Sequence, residues 1–267
     1  MDIVVSGVAQ IFGTPPDQVI ALENVSHRFP SQKVSCILGP SGCGKSTLVQ
    51  IIGGIRRCTA GGIRIGDQQH AADPLGTHSV MVWQQLNLFP WRTALDNVAF
   101  GLEMQGIANP ARYERARALI ASVGLRGFEK HRPAQLSGGM RQRVALARAL
   151  IMQRPIMLMD EPFAALDAQT KIVMQEELIR IYEANKMTIL FVTHAIDEAI
   201  LLGDEVIVMT ARPGRIKEVI RVDLPRPRVQ EMVNTPEFGR LYDHALHLIR
   251  EEVLSAMRQQ DAMVGAA

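Results

Sequence analysis

Cysteine is scarce in this 267-residue chain: Cys36, Cys43 and Cys58 are the three present. They show neither C-x-x-C spacing nor the density of a disulfide framework, which points to a reducing, cytosolic setting. Net charge is nearly absent as well. Lys and Arg number 29 against 27 Asp and Glu, a formal +2, so no global field draws the chain to DNA or an acidic surface, and any polyanion must be held by local geometry. No run of about eighteen apolar residues occurs, so nothing spans a bilayer unaided. The opening Met1 to Ser6 lacks the basic and apolar regions of a secretory signal, and the chain is expected to stay in the cytosol. Internal repeats and low-complexity tracts are missing too. What remains is globular: 47% hydrophobic and 21% charged residues exclude a disordered chain. The length suits one large domain, or a core with a subdomain.

Against that background one stretch stands out, Gly39-Pro40-Ser41-Gly42-Cys43-Gly44-Lys45-Ser46, followed by Thr47. Its G-x4-G-K-S spacing makes a loop of backbone N–H groups able to wrap a polyphosphate. Glycines let the backbone approach, Lys45 adds a point charge for the outer phosphates, and Ser46 offers a hydroxyl to the accompanying Mg2+. The apolar run Val34 to Leu38 reads as a buried strand entering the loop. Leu48, Ile51 and Ile52 give the next segment a helical apolar face, which Gly53-Gly54 stops. Cys43, inside the loop, predicts that thiol alkylation blocks activity and that the bound nucleotide protects.

Around this element, Ile3 to Val8 and Ile20 to Val25 read as short strands of an edge sheet, with a turn at Gly13 to Asp17. A Gly61-Gly62 turn, an Ile63 to Ile65 strand and an apolar strand from Ser79 to Trp83 follow. From Asn87 to Ile151 the pattern becomes helical, notably at Ala94 to Met104 and Pro110 to Val123. Strands return at Ile156 to Met159, Thr188 to Val192 and Glu205 to Met209. Strands alternating with helices predict a mostly parallel sheet interrupted by a helical insert. Ile156 to Met159 runs into Asp160 and Glu161. In a chain with a phosphate loop, Asp160 is placed to hold the metal shell, and Glu161 can accept a proton from a water in line with the terminal phosphate.

The segment Leu136-Ser137-Gly138-Gly139-Met140, continuing to Val144, has Ser137 placed to cap a helix with Met140, Val144, Ala147 and Ile151 on one face. Gly138 and Gly139 leave its first amides bare for an anion. With the phosphate loop and the acidic pair, this segment resembles the signature of ABC-type ATPases, over roughly Ile3 to Leu224. The resemblance implies an α/β fold: a P-loop NTPase (RecA-like) core at 1–86 and 152–224, with an N-terminal antiparallel β subdomain and a helical subdomain at 87–151. Residues 225–267 form a C-terminal helical extension, whose Leu246, Ile249 and Val253 are expected to face the core.

Further roles follow from the resemblance. Phe12 matches the aromatic that stacks on adenine; Phe29 is the competing candidate, in a segment that reads as strand. Gln84, read as closing the Met81 to Gln84 strand, matches the glutamine that reaches metal and attacking water, with Gln85 adjacent. Asp167 matches the loop that crosses to the opposite subunit, and His194 the histidine that touches the terminal phosphate. Ala195 stands where many relatives carry an acid, and Met140 replaces a more common glutamine. Leu88, Phe89, Pro90 and Trp91 form an apolar patch where the family receives a short helix from a membrane partner.

In this family two subunits pack head to tail, each ATP lying between one phosphate loop and the partner's signature. The resemblance therefore implies ATP and Mg2+ as cofactors and a homodimer docked peripherally on the cytoplasmic face of the membrane. Its partners are a membrane-spanning permease and, through it, a periplasmic solute-binding protein, with no nucleic acid. Phe89 to Gly101 and Val208 to Ile216 are similar to ATP-binding subunits of nitrate, sulfonate, taurine and bicarbonate importers. The alternative is a soluble, non-transport ABC ATPase acting on nucleic acid or the ribosome; such proteins usually fuse two nucleotide domains or carry a long coiled-coil insertion, and this chain has neither.

Overall fold

The computed structural model describes residues 1–70 and 78–264. Two sheets share one framework. The first is antiparallel among the described residues, in the order β2-β1-β4-β5, from β1 (Ile3–Phe12), β2 (Val19–Phe29), β4 (Ala60–Ile65) and β5 (Gln68–His70). The second runs β10-β9-β3-β8-β7-β6, from β3 (Val34–Leu38), β6 (Ser79–Val82), β7 (Ile156–Asp160), β8 (Thr188–Thr193), β9 (Glu205–Met209) and β10 (Ile216–Arg221). It is parallel except for β10, which pairs antiparallel with β9. The mostly parallel sheet with an antiparallel β subdomain is thus the architecture expected of the sequence.

Burial on both faces explains why the central strands read as largely apolar runs without alternation. Along β3, Ile37 points to a core shared with β1, β2 and the helix α1 (Lys45–Ile52). Its neighbours Cys36 and Leu38 point to the opposite core. Helices α5 (Ala168–Asn185) and α6 (Ile196–Leu202) cover that second face with Met174, Leu178, Ala199 and Leu202. The helical insert holds α2 (Ala94–Met104), α3 (Asn109–Ser122) and α4 (Gly138–Leu150). Thr93 and Asp96 close a capping box that starts α2. Helix α7 (Pro236–Val264) forms the C-terminal extension.

Four local expectations are corrected. β1 continues past Val8 to Phe12, paired with β2 through shifts in register that let it curl. Gly61 and Gly62 lie inside β4 instead of forming a turn. Gly61 takes φ +81°, and a Cβ there would stand 2.3 Å from the Gly7 carbonyl oxygen, so the pair marks a close crossing of strands. β6 ends at Val82, leaving Gln84 two residues beyond it and exposed. In α7 the inward stripe is Phe238, Leu241, Tyr242, Ala245, Leu248 and Ile249. Leu246 is 42% exposed, because it sits a full residue step, about 100°, around the helix from Ala245.

Candidate nucleotide site

β3 delivers the chain from the sheet interior to the phosphate loop, and α1 begins at Lys45. Gly44 is the hinge between them, with φ +103°; a Cβ there would lie 2.6 Å from Leu22 Cδ2 and 2.9 Å from the Ala21 carbonyl oxygen. Any other residue would push the loop away from β2. Lys45 is buried, its Nζ donating to the carbonyls of Gly39 at 2.8 Å and Pro40 at 3.0 Å. Leu48, Ile51 and Ile52 are buried as expected, and the helix stops at Gly53.

Opposite the loop, β7 ends at Asp160, whose Oδ1 accepts from Ser46 Oγ at 2.8 Å. Burial pushes the Asp160 carboxyl up and the Glu161 charge adds to that, while the Ser46 hydrogen bond and Lys45 pull it back in part. Glu161 adopts φ +46° and donates its backbone N–H to the Val192 carbonyl at 3.0 Å, which turns its side chain out of the strand. His194 leaves β8 beside it, Nδ1 lying 3.4 Å from Glu161 Oε2. Strand order places β8 between β3 and β7, so the loop, the acidic pair and the histidine emerge from one edge of the sheet.

The loop and Glu161 border a cleft of about 300 Å³ whose walls include Phe12, Ser41, Gly42, Gly44, Lys45, Ser46 and Thr47. Asp160 and His194 are not among its walls, and His194 instead lines, with Glu161, Lys171, Thr193 and Glu198, a smaller hollow of about 80 Å³. Phe29, the competing aromatic, is fully buried and edge-on to His27, so it faces no ligand. Phe12 lies at the cleft with the Arg56 guanidinium 4.8 Å from its ring centroid. Cys43 Sγ turns into the core and is 1% exposed, and burial pushes its thiol up. The expectation that Cys43 is readily alkylated is therefore corrected: its backbone belongs to the loop, but its sulfur is shielded and protonated.

Among the described residues no three His, Cys, Asp or Glu side chains could hold a metal ion by themselves. Ser46 and Asp160 supply adjacent hard oxygen ligands. That donor set fits Mg2+, which is commonly held by one or two carboxylates together with substrate phosphates.

Other expected residues lie elsewhere. Ser137 caps α4, its Oγ accepting from Met140 N at 3.2 Å; it and Gly138 are exposed, with Leu136 buried behind. A Cβ on Gly139 would come within 2.5 Å of Thr170 Cγ2. Thr170 in turn binds Asp167, which caps α5 through contacts of 3.0 and 2.7 Å. Signature and Asp167 loop thus abut one another, but none of these residues, nor Gln84, lines the cleft. Ala195 precedes α6 without a side-chain cap.

Three residues outside the sequence reading matter here. Arg212 lines the cleft and donates to the Gly42 carbonyl. Glu198, buried on α6, accepts from Thr193 Oγ1, Gln175 Nε2 and Lys171 Nζ. Thr193 Oγ1 also accepts from Ala195 N at 3.0 Å, so both neighbours of His194 are pinned to this cluster. Glu198 and Lys171 lie on α6 and α5, to which no site residue is assigned from the sequence; Arg212 lies in the Val208 to Ile216 stretch, which is noted for its similarity to importer subunits.

A model of the ABC transporter family matches residues 22–164, from β2 through the phosphate loop and signature to the acidic pair. The chain belongs to the ABC transporter family. It is an ATP-binding cassette with ATPase function. An uncharacterized ABC transporter ATP-binding protein of Methanocaldococcus jannaschii is 45% identical over 254 residues, covering 95% of this chain and 93% of that protein. A nitrate import ATP-binding protein of Synechocystis sp. is 38% identical over 256 residues, 94% and 96% of the two chains. A taurine import ATP-binding protein of Burkholderia pseudomallei is 42% identical over 240 residues, 88% and 92%. Among solved structures, the dimeric cassette MJ0796 in a post-hydrolysis state bound to ADP and Pi aligns with a TM-score of 0.73. That alignment has 31% identity and covers 84% of this chain and all of that one. No described helix of this cassette is long and apolar enough to cross a membrane.

Proposed function

We propose that this cassette powers an importer for a small solute of the nitrate, sulfonate, taurine or bicarbonate kind, working as a homodimer on the cytoplasmic side of a separate permease. The carrying observation is a division of labour within one chain. The cleft holds Lys45, Ser46 and Glu161, whereas the capped, exposed start of α4 at Ser137 and Gly138 borders no part of it. A helix N-terminus with bare amides favours an anion, and a second copy turned head to tail would bring one to each cleft. A related cassette is dimeric in a post-hydrolysis state bound to ADP and Pi, which supports pairing.

Within each cleft, Lys45 and the loop amides would hold the phosphates and Phe12 would stack on adenine. Mg2+, held by Ser46 and Asp160 with help from Gln84, would neutralise charge developing on the transferred phosphoryl group. Glu161 would accept a proton as water oxygen bonds to the γ-phosphorus and the bond to the ADP oxygen breaks, and His194 would steady the terminal phosphate. Asp167 and Leu136 to Met140 would act at the partner's cleft. Hydrolysis removes the phosphate that bridges the two copies, so chemistry becomes opening and closing.

The permease would dock where Trp91 stands 67% exposed. A groove of about 180 Å³ lies close by in sequence and fold, lined by Val82, Trp83, Leu86, Phe100 and Met152 among others. Trp91 and Phe100 both contact or flank Phe89, with centroids 5.6 and 4.6 Å away. The solute would reach the permease from a periplasmic binding protein, and no nucleic acid is required. Glu161→Gln should lower ATP turnover by at least about 10²-fold yet retain ATP-dependent dimers in size-exclusion chromatography with light scattering. Unchanged hydrolysis would remove Glu161 as the base. Copurification with a multispanning protein supports the transport reading, whereas ATPase activity stimulated by nucleic acid would replace it with the non-transport one.

A further inference from the structure

We infer that the turn joining β9 to β10 is a strap that positions the phosphate loop, and that Glu252 of α7 holds the strap in place. Arg212 and Glu252 are then positioning residues for nucleotide binding, an inference that rests on the ATP site proposed above. The turn is closed on itself by Thr210, whose N–H donates to the Arg215 carbonyl at 2.9 Å. Its Oγ1 donates to the Pro213 carbonyl and accepts from Arg215 N, each at 2.9 Å. From this rigid unit three connections leave.

The first runs to the phosphate loop. Arg212 Nε and Nη2 donate to the Gly42 carbonyl at 3.3 and 3.2 Å, and the backbone of Gly214 passes so near Cys43 that a Cβ would stand 2.0 Å from its carbonyl oxygen. The second runs to β2, another wall of the cleft: Gly214 N donates to the Ala21 carbonyl at 2.9 Å, and Glu23 N to the Gly214 carbonyl at 3.0 Å. The third runs to the C-terminal helix. Ala211, buried, donates its N–H to Glu252 Oε2 at 2.7 Å, while Glu252 Oε1 pairs with Lys217 at 2.8 Å.

A loop that aims its amides inward at phosphate must aim carbonyls outward, and the Gly42 carbonyl is fixed by a cation carried on the strap. A charged acceptor on Ala211 N–H makes the anchoring bond a strong one. Loosening Glu252 should therefore relax Arg212 and blur the amide array, and by reciprocity a bound nucleotide should favour docked α7.

The test uses the purified full-length chain titrated with Mg2+ and a fluorescent ADP. Arg212→Ala and Glu252→Ala should each weaken binding by about three- to tenfold, without a matching loss of thermal stability. Glu252→Gln keeps an oxygen that accepts from Ala211 N–H but loses its charge, and should bind with an affinity between those of the parent and Glu252→Ala. The double variant R212A/E252A should bind no more weakly than R212A, because both act through one strap. MgADP should slow hydrogen exchange in the described part of α7 in the parent and lose that effect in R212A. Parental affinity in R212A and E252A, with Lys45→Ala impaired, overturns the strap but leaves the ATP site standing. Parental affinity in Lys45→Ala overturns the site, and the strap with it. Additive losses in the double variant, or a loss of stability without a loss of affinity, also overturn the strap.

Discussion

Replacing Lys171 by Met should expose how the hollow beside His194 and Glu161 is held. Lys171 Nζ lies 3.0 Å from Glu198 Oε1, and the two side chains are 25% and 5% exposed. Removing one partner of a buried ion pair costs about 3–5 kcal/mol, since the other charge is stranded. Two features reduce that figure. Lys171 is itself partly solvated, and Glu198 keeps donors in Thr193 Oγ1 and Gln175 Nε2, the latter at 3.3 Å. It also lies in the first turn of α6, where a negative charge is favoured by about 0.3–1 kcal/mol. A loss of about 2–3 kcal/mol remains, taking the low end of the pair cost. At roughly 2–4 °C per kcal/mol for chains of this size, Tm should fall by about 4–12 °C. Glu198→Gln leaves Lys171 free to reach solvent and keeps a hydrogen-bonding side chain, so its cost should be smaller, about 1 kcal/mol. Thr193 and Ala195 flank His194 and both belong to this cluster, so kcat for ATP should fall further than KM rises. Circular-dichroism melting at pH 7.5, with steady-state ATPase assays, measures both effects. A K171M protein melting within about 1 °C of the parent, well short of the roughly 4 °C expected at the least, would show that the pair is not a structural support.

Three further outcomes follow from the same geometry. Iodoacetamide at pH 7.5 should label half-buried Cys58 before Cys43 or Cys36, because burial raises both of the latter thiols; peptide mass mapping measures the order, and fast modification of Cys43 would contradict the shielding. Trp91→Ala should leave Tm within about 1 °C, as exposed positions usually do, yet reduce recovery of the permease in a pull-down; undiminished recovery would move the docking site elsewhere. For Asp204, burial raises the carboxyl, but Arg226 at 2.9 Å, the Val34 N–H and Lys33 together outweigh it and hold it below 3.8. A depressed carboxyl contributes stability that is present above its unfolded value and lost as pH falls through the folded one. Asp204→Asn should thus cost about 1–3 kcal/mol at pH 7 and flatten the stability profile below about pH 4, as read by urea denaturation at stepped pH.

The parts of this fold that could be read from residues are those where a local rule and the tertiary structure agree. Val34 to Leu38 is buried throughout and mostly apolar because both its faces are covered, and Ser137 caps a helix wherever that helix packs. Gly61 shows where the local rule gives way. A glycine pair normally signals a turn, yet here the close passage of Gly7 on the neighbouring strand requires it, and that neighbour is distant in the chain. Leu246 fails for a similar reason: with Ile249 and Val253 it makes a plausible helical stripe, but the surface offered by α6 and the sheet selects the stripe through Ala245 and Leu248. Arg212 and Glu252 carry no catalytic motif, although Arg212 lies in the Val208 to Ile216 stretch. Their place beside the phosphate loop exists only because β9 lies next to β3 in the sheet, and because α7 folds back over the turn that follows β9. Motifs report groups that meet a ligand within a few residues of one another. The supports of those groups come from strand order, and strand order is where the sheet adds what the linear pattern lacks.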